Sequence, residues 1–373
     1  MCFFATDMCM PFEFRSFLTL FIILFTGALI WITSYEDFFL PGSGKQITKS
    51  TNSSEANYSS EANIPVLDIQ SLKFSNSCEA QLNVHARSST ERRNTSCDQE
   101  CRRFRNVLLN WPPDKPKAAI YILAKGDRHQ KLNYSLTLLY CNFLQAFDYP
   151  VIVFHETDSR DLLHRKVRKQ HANIRLFFQE VQFDTPAHVN EALARYKIIG
   201  CTRFPVSYRH MCRFHAKGVY QQPILVGLDY TWRLDDDSQL LTSIKYDVFA
   251  FMKNHRLQYG YKIIYPDSRE CTLCLWEAAK LYKKQRQIQS QYFDKWSEPH
   301  IFYNNFEISA LSLWKSQQYQ DYINYIDLLG GIYIHRWGDA PIKTIFVTLF
   351  LRKEDTHFFA NFTYHHDSLT SSD

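Results

Sequence analysis

The chain has little glycine, and it lacks the glycine-rich loops that hold phosphate groups through backbone amides. Only 11 of its 373 residues are glycine, and neither a Gly-x-Gly-x-x-Gly segment nor a Walker loop is present. Dinucleotide-binding and P-loop proteins rely on such loops to bind phosphate. If this chain binds a phosphate-bearing ligand, a metal ion and side chains must therefore hold it.

Long basic runs and paired zinc-type cysteine motifs are also missing. The net charge of +5 is mild and spread along the chain, so nucleic acid is not indicated as a partner. Cys271-x-x-Cys274 has no second Cys-x-x-Cys to complete a zinc site, so the end of a disulfide is the simpler interpretation. We expect Cys2 and Cys9 to be cytosolic, and the other eight cysteines to be able to pair in an oxidising lumen, with connectivity left open.

An uncharged apolar run of 17 residues, 17–33, stands near the N-terminus and has the length of a short membrane-spanning helix. No small-x-small cleavage site precedes the polar residues that follow, so a retained signal-anchor fits better than a cleaved signal peptide. Residues 1–16 would then be a cytosolic tail, and the chain a single-pass type II membrane protein. Sequons after the run favour a lumenal body; they begin at Asn52, Asn57, Asn94, Asn133 and Asn361.

The remainder divides into a polar segment and an aromatic-rich domain. Residues 34–116 are rich in Ser, Asn, Glu and Arg, which predicts a flexible lumenal stem. Residues 117–373 are long enough for one large domain with a sizeable core. The alternation of strand and helix patterns predicts an α/β domain whose ligand lies at the carboxyl ends of the strands. We predict strands at 118–124, 149–154, 174–181, 229–234 and 261–265, and a helix over 132–147.

The segment Thr-Trp-Arg-Leu-Asp-Asp-Asp, 231–237, ends a predicted strand in three carboxylates. On an extended segment Asp235 and Asp237 share one side, while Asp236 faces the other. Two carboxylates about 7 Å apart can bind one hard divalent cation that carries a diphosphate. This is the Asp-x-Asp arrangement of enzymes that use nucleotide-sugars, although an acidic turn that merely stays solvated is the alternative. Lys125, directly after the first predicted strand, would mark an edge of the nucleotide pocket.

Five blocks of the chain carry a family resemblance, in order along residues 117–367. They are Val-Ser-Tyr-Arg-His-Met-Cys-Arg-Phe (206–214), the acidic strand end (230–237), Asn-Phe-Glu-Ile (305–308), Gly-Gly-Ile-Tyr-Ile-His-Arg-Trp-Gly-Asp-Ala-Pro (330–341), and His-Phe-Phe with Tyr-His-His (357–366). With these blocks the chain resembles the fungal α-1,2-mannosyltransferases of glycosyltransferase family 15. The resemblance implies a GT-A fold, GDP-mannose as donor, Mn²⁺, retention of anomeric configuration, a mannose-bearing glycoprotein or glycan acceptor, and residence in the Golgi membrane.

The resemblance also implies a ligand set for the metal. Asp235 stands where the family usually has Glu, Asp237 matches the family's Asp, and Asp236 replaces a proline. His366 matches a further metal ligand, with His365 as a register alternative. Imidazole combined with carboxylate suits Mn²⁺ better than Mg²⁺.

Other matched residues would act on the donor. Glu307 matches a carboxylate that is proposed to act as nucleophile or to stabilise an oxocarbenium-like transition state; a buried Glu paired with an Arg such as Arg336 is the structural alternative. The Tyr208 hydroxyl would bond a phosphate or sugar oxygen, unless it is a core tyrosine. Arg209 and Arg213 would neutralise diphosphate charge or form internal ion pairs.

The acceptor side has weaker support. Arg336, Trp337 and Asp339 resemble acceptor-sugar contacts, with an ordinary turn as the alternative. Lys343 occupies a position that is often His in the family, and the chain ends soon after the last block. Two other functions therefore stay open: the same fold with a different sugar-nucleotide donor, or a catalytically degenerate, carbohydrate-binding relative in the secretory pathway.

Overall fold

The computed structural model describes residues 97–190, 200–367 and 369–371. The predicted cytosolic tail, the predicted anchor and the first part of the predicted stem lie outside these residues. Within the described residues, no helix combines the length and the apolar character needed to cross a membrane.

Strands and helices alternate along the first part of the described chain. The strands are β1 (Ala118–Leu123), β2 (Val151–His155), β3 (Leu176–Glu180), β4 (Tyr230–Asp235), β5 (Gln239–Leu240), β6 (Tyr259–Tyr261), β7 (Ile264–Pro266), β8 (His300–Phe302), β9 (Phe306–Ala310), β10 (Thr356–Phe358), β11 (Tyr364–His366) and β12 (Leu369–Ser371). The α-helices are α1 (Gln99–Leu109), α2 (His129–Leu139), α3 (Gln145–Phe147), α4 (Arg160–Leu163), α5 (Val206–Ala216), α6 (Val248–Asn254), α7 (Leu275–Gln285), α8 (Gln291–Asp294), α9 (Leu311–Lys315), α10 (Gln317–Leu328), α11 (Gly331–Ile334) and α12 (Asp339–Phe350).

A seven-stranded mixed sheet forms the centre, in the order β10-β6-β9-β4-β1-β2-β3. Strands β4, β1, β2 and β3 are parallel, and β9 runs antiparallel between β4 and β6. The two smaller sheets are β12-β11-β5 and β7-β8. The predicted mixed α/β fold is therefore confirmed, and the carboxyl ends of four parallel strands lie along one edge.

The sequence of β4 explains how this edge becomes acidic. Trp232 points to one face of the sheet, where its ring packs against Phe143 at 5.1 Å and Phe249 at 6.3 Å. Its neighbour Arg233 points to the opposite face, because side chains alternate along a strand. The alternation buries the aromatic ring in the core and leaves Asp235 at the strand end.

Most of the predicted elements are formed. The strands expected at 118–124, 149–154, 174–181 and 229–234 are β1 to β4, each within a few residues. The helix expected over 132–147 is built from α2, a π-helical turn (Tyr140–Leu144) and α3. The single strand expected at 261–265 is wrong, because that segment is shared by β6 and β7, which belong to different sheets.

The end of the predicted stem is folded, so the boundary drawn at residue 116 is also wrong. Asp98 caps α1 by accepting a hydrogen bond from the Cys101 amide at 2.8 Å. Along α1 the side chains of Cys101, Phe104 and Leu108 are buried, and the Phe104 ring packs against Phe177 of β3 at 4.9 Å. These three residues form a narrow apolar stripe at helical spacing. Because their neighbours are charged, the composition of the segment is polar overall and did not indicate a helix.

Disulfides link several described cysteines. Cys97 is bonded to Cys101, and Cys201 to Cys271. Cys141 and Cys274 are disulfide-bonded as well. The disulfide interpretation of Cys271 and Cys274 is therefore confirmed over the zinc alternative.

Ion pairs of the buried Asp327 join α5 and the residue after it to α10. Asp327 accepts hydrogen bonds from Arg213 at 2.8 and 2.9 Å and from Lys217 at 2.6 Å. Burial opposes ionisation of Asp327, but the hydrogen bonds and charges of Arg213 and Lys217 outweigh burial and hold the pKa of Asp327 below its ordinary value of 3.8. Arg213, proposed above for diphosphate or for an internal pair, thus serves an internal pair.

We predict that Asp327→Asn destabilises the fold by about 3–5 kcal/mol, because it leaves two partly buried cations without their buried anion. Asp294→Asn is the matched control: Asp294 pairs with Lys283 on the surface, and its loss should cost at most about 1 kcal/mol. Denaturant unfolding at pH 7 measures both changes.

The same substitution has a pH signature. Because the folded-state pKa of Asp327 is lowered, its contribution is present above pH 3.8 and is lost as pH falls through the lower folded-state value. The stability difference between wild type and Asp327→Asn should therefore shrink below about pH 4. A difference that stays constant from pH 7 to pH 3 would contradict the ion-pair explanation.

Candidate functional site

The acidic strand end is held in a fixed turn by its neighbour Ser238. The Ser238 hydroxyl accepts a hydrogen bond from the Asp235 amide at 3.0 Å and bonds the Tyr364 hydroxyl at 2.7 Å. The Ser238 carbonyl in turn accepts a hydrogen bond from Ser135 of α2. The turn therefore connects β4 to α2 and to β11, and it sets the directions of the carboxylates.

His366 approaches the carboxylates because β11 pairs antiparallel with β5, the strand directly after the acidic turn. Its Nε2 atom lies 3.3 Å from Asp235 Oδ2 and 3.1 Å from Asp237 Oδ1. The neighbouring His365 points away, and its Nδ1 bonds the Thr370 hydroxyl at 2.7 Å. Of the two histidines that the sequence left open, His366 is the one that meets Asp235 and Asp237.

Contacts with one another shift the pKa values of Asp235, Asp237 and His366. For Asp235, burial favours the neutral form, but Arg233 and His366 outweigh burial and lower its pKa. The hydrogen bond from His366 is the largest cause of the lowered pKa of Asp237. Burial lowers the pKa of His366, yet its bonds to the two carboxylates prevail and raise that pKa to about 9. The three shifts all favour the charged forms of these groups.

This donor set fits a divalent cation, once His366 has lost its proton. One oxygen of each carboxylate lies within 3.3 Å of one imidazole nitrogen, and such mixed ligands suit Mn²⁺. Within the part of the chain that is described, no group of three or more His, Cys, Asp or Glu side chains has an arrangement that could hold a metal ion. The hydrogen-bonded contacts therefore mark where the ligands meet, and metal ligation by Asp235, Asp237 and His366 stays a prediction.

Arg233 connects this site to the core below it. Its side chain is 4% exposed, and it donates to Asp235 at 3.1 Å and to Asp339 at the start of α12. Asp339 also accepts a hydrogen bond from Asn304 at 2.8 Å. Asp339, predicted as an acceptor contact, is thus engaged inside the protein.

The two other predicted acceptor contacts also have internal partners. Trp337 has no exposed surface, and its Nε1 donates to the Leu273 carbonyl at 2.7 Å. A ring without exposed surface cannot stack on a sugar, so the acceptor prediction for Trp337 is wrong. Arg336 donates to Asp267 at 3.3 Å and to the Tyr208 hydroxyl at 3.1 Å.

The predicted donor contacts separate into two groups. Lys125 is exposed at the carboxyl end of β1, in line with the end of β4, because Leu123 pairs with Asp235. Tyr208 is half-buried, and burial raises the pKa of its hydroxyl. Arg209, the next residue along α5, is fully buried instead, and the prediction that it binds diphosphate is wrong.

The guanidinium of Arg209 is committed to backbone carbonyls. It donates to Tyr333 at 2.9 Å, to Gly200 at 3.1 Å and to Cys201 at 3.0 Å. Arginine is always charged, so its presence in the core requires such acceptors. Arg209 therefore joins α5 to α11 and to the loop at Gly200 and Cys201, and is a structural residue.

Glu307 lies on β9, opposite Arg233 of β4, and is fully buried. Lys343 of α12, also fully buried, donates to its carboxylate at 2.5 Å. The Tyr259 hydroxyl donates to the other carboxylate oxygen at 3.1 Å. The structural alternative considered for Glu307 was a pair with Arg336, and the observed partner is Lys343 instead.

A cavity of about 1010 Å³ opens along the same edge of the sheet. Its lining includes His155 at the end of β2, Glu180 at the end of β3, and His210 and Phe214 of α5. These strands are the second and third from β4 along the sheet. The cavity thus begins two strands away from the strand that carries the carboxylates.

Sequence reasoning missed Arg128, which bonds both Asp236 and Asp237. Arg128 lies in the loop that follows β1, and the acidic turn directly follows β4. Carboxyl ends of neighbouring parallel strands lie side by side, so their loops meet. The strand order, which the sequence alone did not provide, was the missing information.

The fold class is that of glycosyltransferases. Two similar solved structures are core-mannan synthase A from Aspergillus fumigatus in its Mn/GDP form and the mannosyltransferase Ktr4p from S. cerevisiae in complex with GDP. The first has a TM-score of 0.61 at 22% identity, covering 77% of this chain and 82% of its own. The second has a TM-score of 0.62 at 21% identity, covering 79% and 86%.

The chain belongs to the glycolipid 2-alpha-mannosyltransferase family, whose model matches residues 70–372. Glycolipid 2-alpha-mannosyltransferase 1 of Candida albicans is 30% identical over 281 residues, 69% of this chain and 64% of the relative. Glycolipid 2-alpha-mannosyltransferase of Saccharomyces cerevisiae is 27% identical over 68% of this chain and 61% of the relative. The match thus spans less than two thirds of the length of either relative.

We predict that Mn²⁺ binding depends on His366 and not on His365. His366→Gln removes one of three converging donors, so Mn²⁺ should bind at least about tenfold more weakly. His365→Gln is the matched control, because its ring is bonded to Thr370 and turned from the carboxylates. Calorimetric titration with Mn²⁺ alone measures both variants, and equal losses in the two would contradict the ligand assignment.

Proposed function

We propose that the protein transfers mannose from GDP-mannose to a mannose-bearing glycan, forming an α-1,2 linkage with retention. The observation that carries the proposal is the convergence of Asp235, Asp237 and His366 at the carboxyl end of β4, in a chain of this family. The names of relatives support a mannosyl group, and the GDP in similar structures supports a guanosine diphosphate leaving group. A different sugar-nucleotide donor is the nearest alternative.

Mn²⁺ is the proposed metal, in keeping with the donor set and with the Mn/GDP form of one similar structure. When bound, it would offset the negative charge of the departing diphosphate. Asp235, Asp237 and His366 would hold it, and Arg233 would keep Asp235 ionised and oriented. We propose that Lys125 and the cavity along the edge belong to the same ligand-binding surface.

Glu307 is the proposed carboxylate at the anomeric centre. Its burial and its ion pair make this the part of the proposal that most needs a direct test. Its ion pair with Lys343 keeps a negative charge in the interior. That pair also favours a second candidate function, a carbohydrate-binding relative in which Glu307 is structural, because neither side chain has exposed surface. The two functions differ in what Glu307→Gln does.

We predict transfer of mannose by the wild-type protein from GDP-mannose, in Mn²⁺ but not in a chelator, with UDP-sugars inactive. Glu307→Gln keeps the shape but loses the charge, so transfer should fall by about 10³-fold, a loss of roughly 4 kcal/mol in transition-state stabilisation. GDP affinity should be unchanged, since the lost interaction acts on the developing cation. Product analysis and GDP titration measure the two quantities.

The matched control is the double variant Glu307→Gln, Lys343→Met, which removes the whole buried pair. Glu307→Gln alone leaves the buried Lys343 ammonium without its anion and should lower the free energy of unfolding by about 3–5 kcal/mol. The double variant should regain most of that free energy. A catalytic Glu307 leaves the double variant stable and inactive. Normal transfer by the stable double variant would reject the catalytic role, and wild type without transfer from any donor would favour the binding function.

We also propose that the protein is anchored in the Golgi membrane through residues 17–33, with its domain in the lumen. The uncharged apolar run and the sequons that follow it support this topology, and the disulfides of the domain fit an oxidising lumen. We predict that glycosidase treatment lowers the apparent mass and that intact vesicles protect the domain from added protease. Digestion of the domain in sealed vesicles would exclude this orientation.

A further inference from the structure

Arg128 forms a forked contact with the acidic turn. It ends the short 3₁₀ turn Gly126–Arg128 that follows β1. Its Nε donates to Asp236 Oδ2 at 2.6 Å, and its Nη2 donates to Asp236 Oδ1 at 2.5 Å. The same Nη2 donates to Asp237 Oδ2 at 2.8 Å. The bidentate geometry fixes the plane of the guanidinium as well as its position.

Both carboxylate oxygens of Asp236 accept hydrogen bonds from Arg128, and the Asp236 side chain is only 9% exposed. A carboxylate so buried requires a cation, and Arg128 supplies it. Asp236, which stands where the family usually has proline, is therefore an anchor for Arg128.

The anchored guanidinium lies beside the predicted metal. One oxygen of Asp237 faces His366 at 3.1 Å, and the other faces Arg128 at 2.8 Å. The Arg128 side chain remains 36% exposed, and its Nη1 takes part in none of the three bonds to the acidic turn. A cationic donor with free hydrogen-bonding capacity is thus presented at the place where a diphosphate would meet the metal.

We propose that Arg128 binds the diphosphate of the sugar nucleotide, and that Asp236 positions Arg128 for that contact. The proposal rests on the proposed function, because it needs a diphosphate at this edge of the sheet. The chain has no glycine-rich phosphate loop. Side chains must therefore bind the phosphate oxygens and offset the phosphate charge that the metal does not offset. The Nε and Nη2 atoms of Arg128 are occupied by Asp236 and Asp237, so the two N–H bonds of Nη1 remain to donate to phosphate oxygens.

The test measures GDP affinity of the full-length protein by calorimetry, in Mn²⁺ and in a chelator, with guanosine as a ligand that lacks phosphate. Arg128→Gln should weaken GDP binding about 10- to 100-fold, the loss expected for hydrogen bonds to a charged group. Arg128→Lys keeps the charge but not the fork, and should still lose about tenfold. Guanosine affinity should be unchanged in both.

Asp236→Asn separates positioning from simple electrostatics. It removes a negative charge near the diphosphate, so electrostatics alone predicts tighter GDP binding. If Asp236 positions Arg128, the same change should weaken GDP binding, about tenfold or less, because the free Arg128 side chain must be ordered again. Adding Asp236→Asn to Arg128→Gln should then cause no further loss.

Lys131→Gln is the matched control. Lys131 is 58% exposed, and its ammonium lies 3.4 Å from Asp237. Lys131→Gln therefore removes one positive charge near the site but no bidentate contact. GDP affinity should change by no more than about threefold. Suppose that wild type binds GDP and that Arg128→Lys and Asp236→Asn bind GDP with the wild-type affinity. That result would overturn this inference and leave the proposed function intact. Equal losses of GDP and guanosine affinity would also overturn it. Wild type without GDP binding would instead overturn the proposed function.

Discussion

The buried guanidinium of Arg233 is the interaction on which the site depends. It stands on the central strand β4 and joins Asp235 at the sheet edge to Asp339 at the start of α12. A charge with 4% exposure is tolerated only with such partners. The same contacts therefore hold α12 against the sheet and keep a carboxylate ionised at the edge, so stability and site geometry have a common cause.

A second pair, Glu307 with Lys343, lies on the same face of the sheet, one strand from Arg233. The tyrosine and tryptophan rings around Lys343 exclude water, and its ammonium lies 4.6 Å from the ring of Trp314. Charges in such surroundings interact strongly, because little solvent screens them. A substitution in one pair will therefore change the electrostatic energy of the other pair as well. The effect of a single substitution here can be interpreted only beside the variant that removes both members of the pair.

Much of the fold followed from local pattern. The apolar run of β1 and the Trp-Arg-Leu-Asp alternation of β4 predicted strands at nearly their observed limits, because burial on both faces requires such runs. The helix α1 was missed, since three buried side chains among charged neighbours give a weak signal. Arg209 and Trp337 were assigned to ligands although they are buried, because a sequence shows residue type and not solvent exposure.

The sequence by itself determined the chemistry that is available: two carboxylates on one side of a strand end, no phosphate loop of glycines, and blocks that resemble one family. Only the tertiary structure decided which groups meet. His366 was separated from His365 by the pairing of β11 with β5, and Arg128 reached Asp236 because β1 and β4 are neighbours. Such contacts join residues more than 100 positions apart, and strand order, which local sequence does not encode, sets their distance.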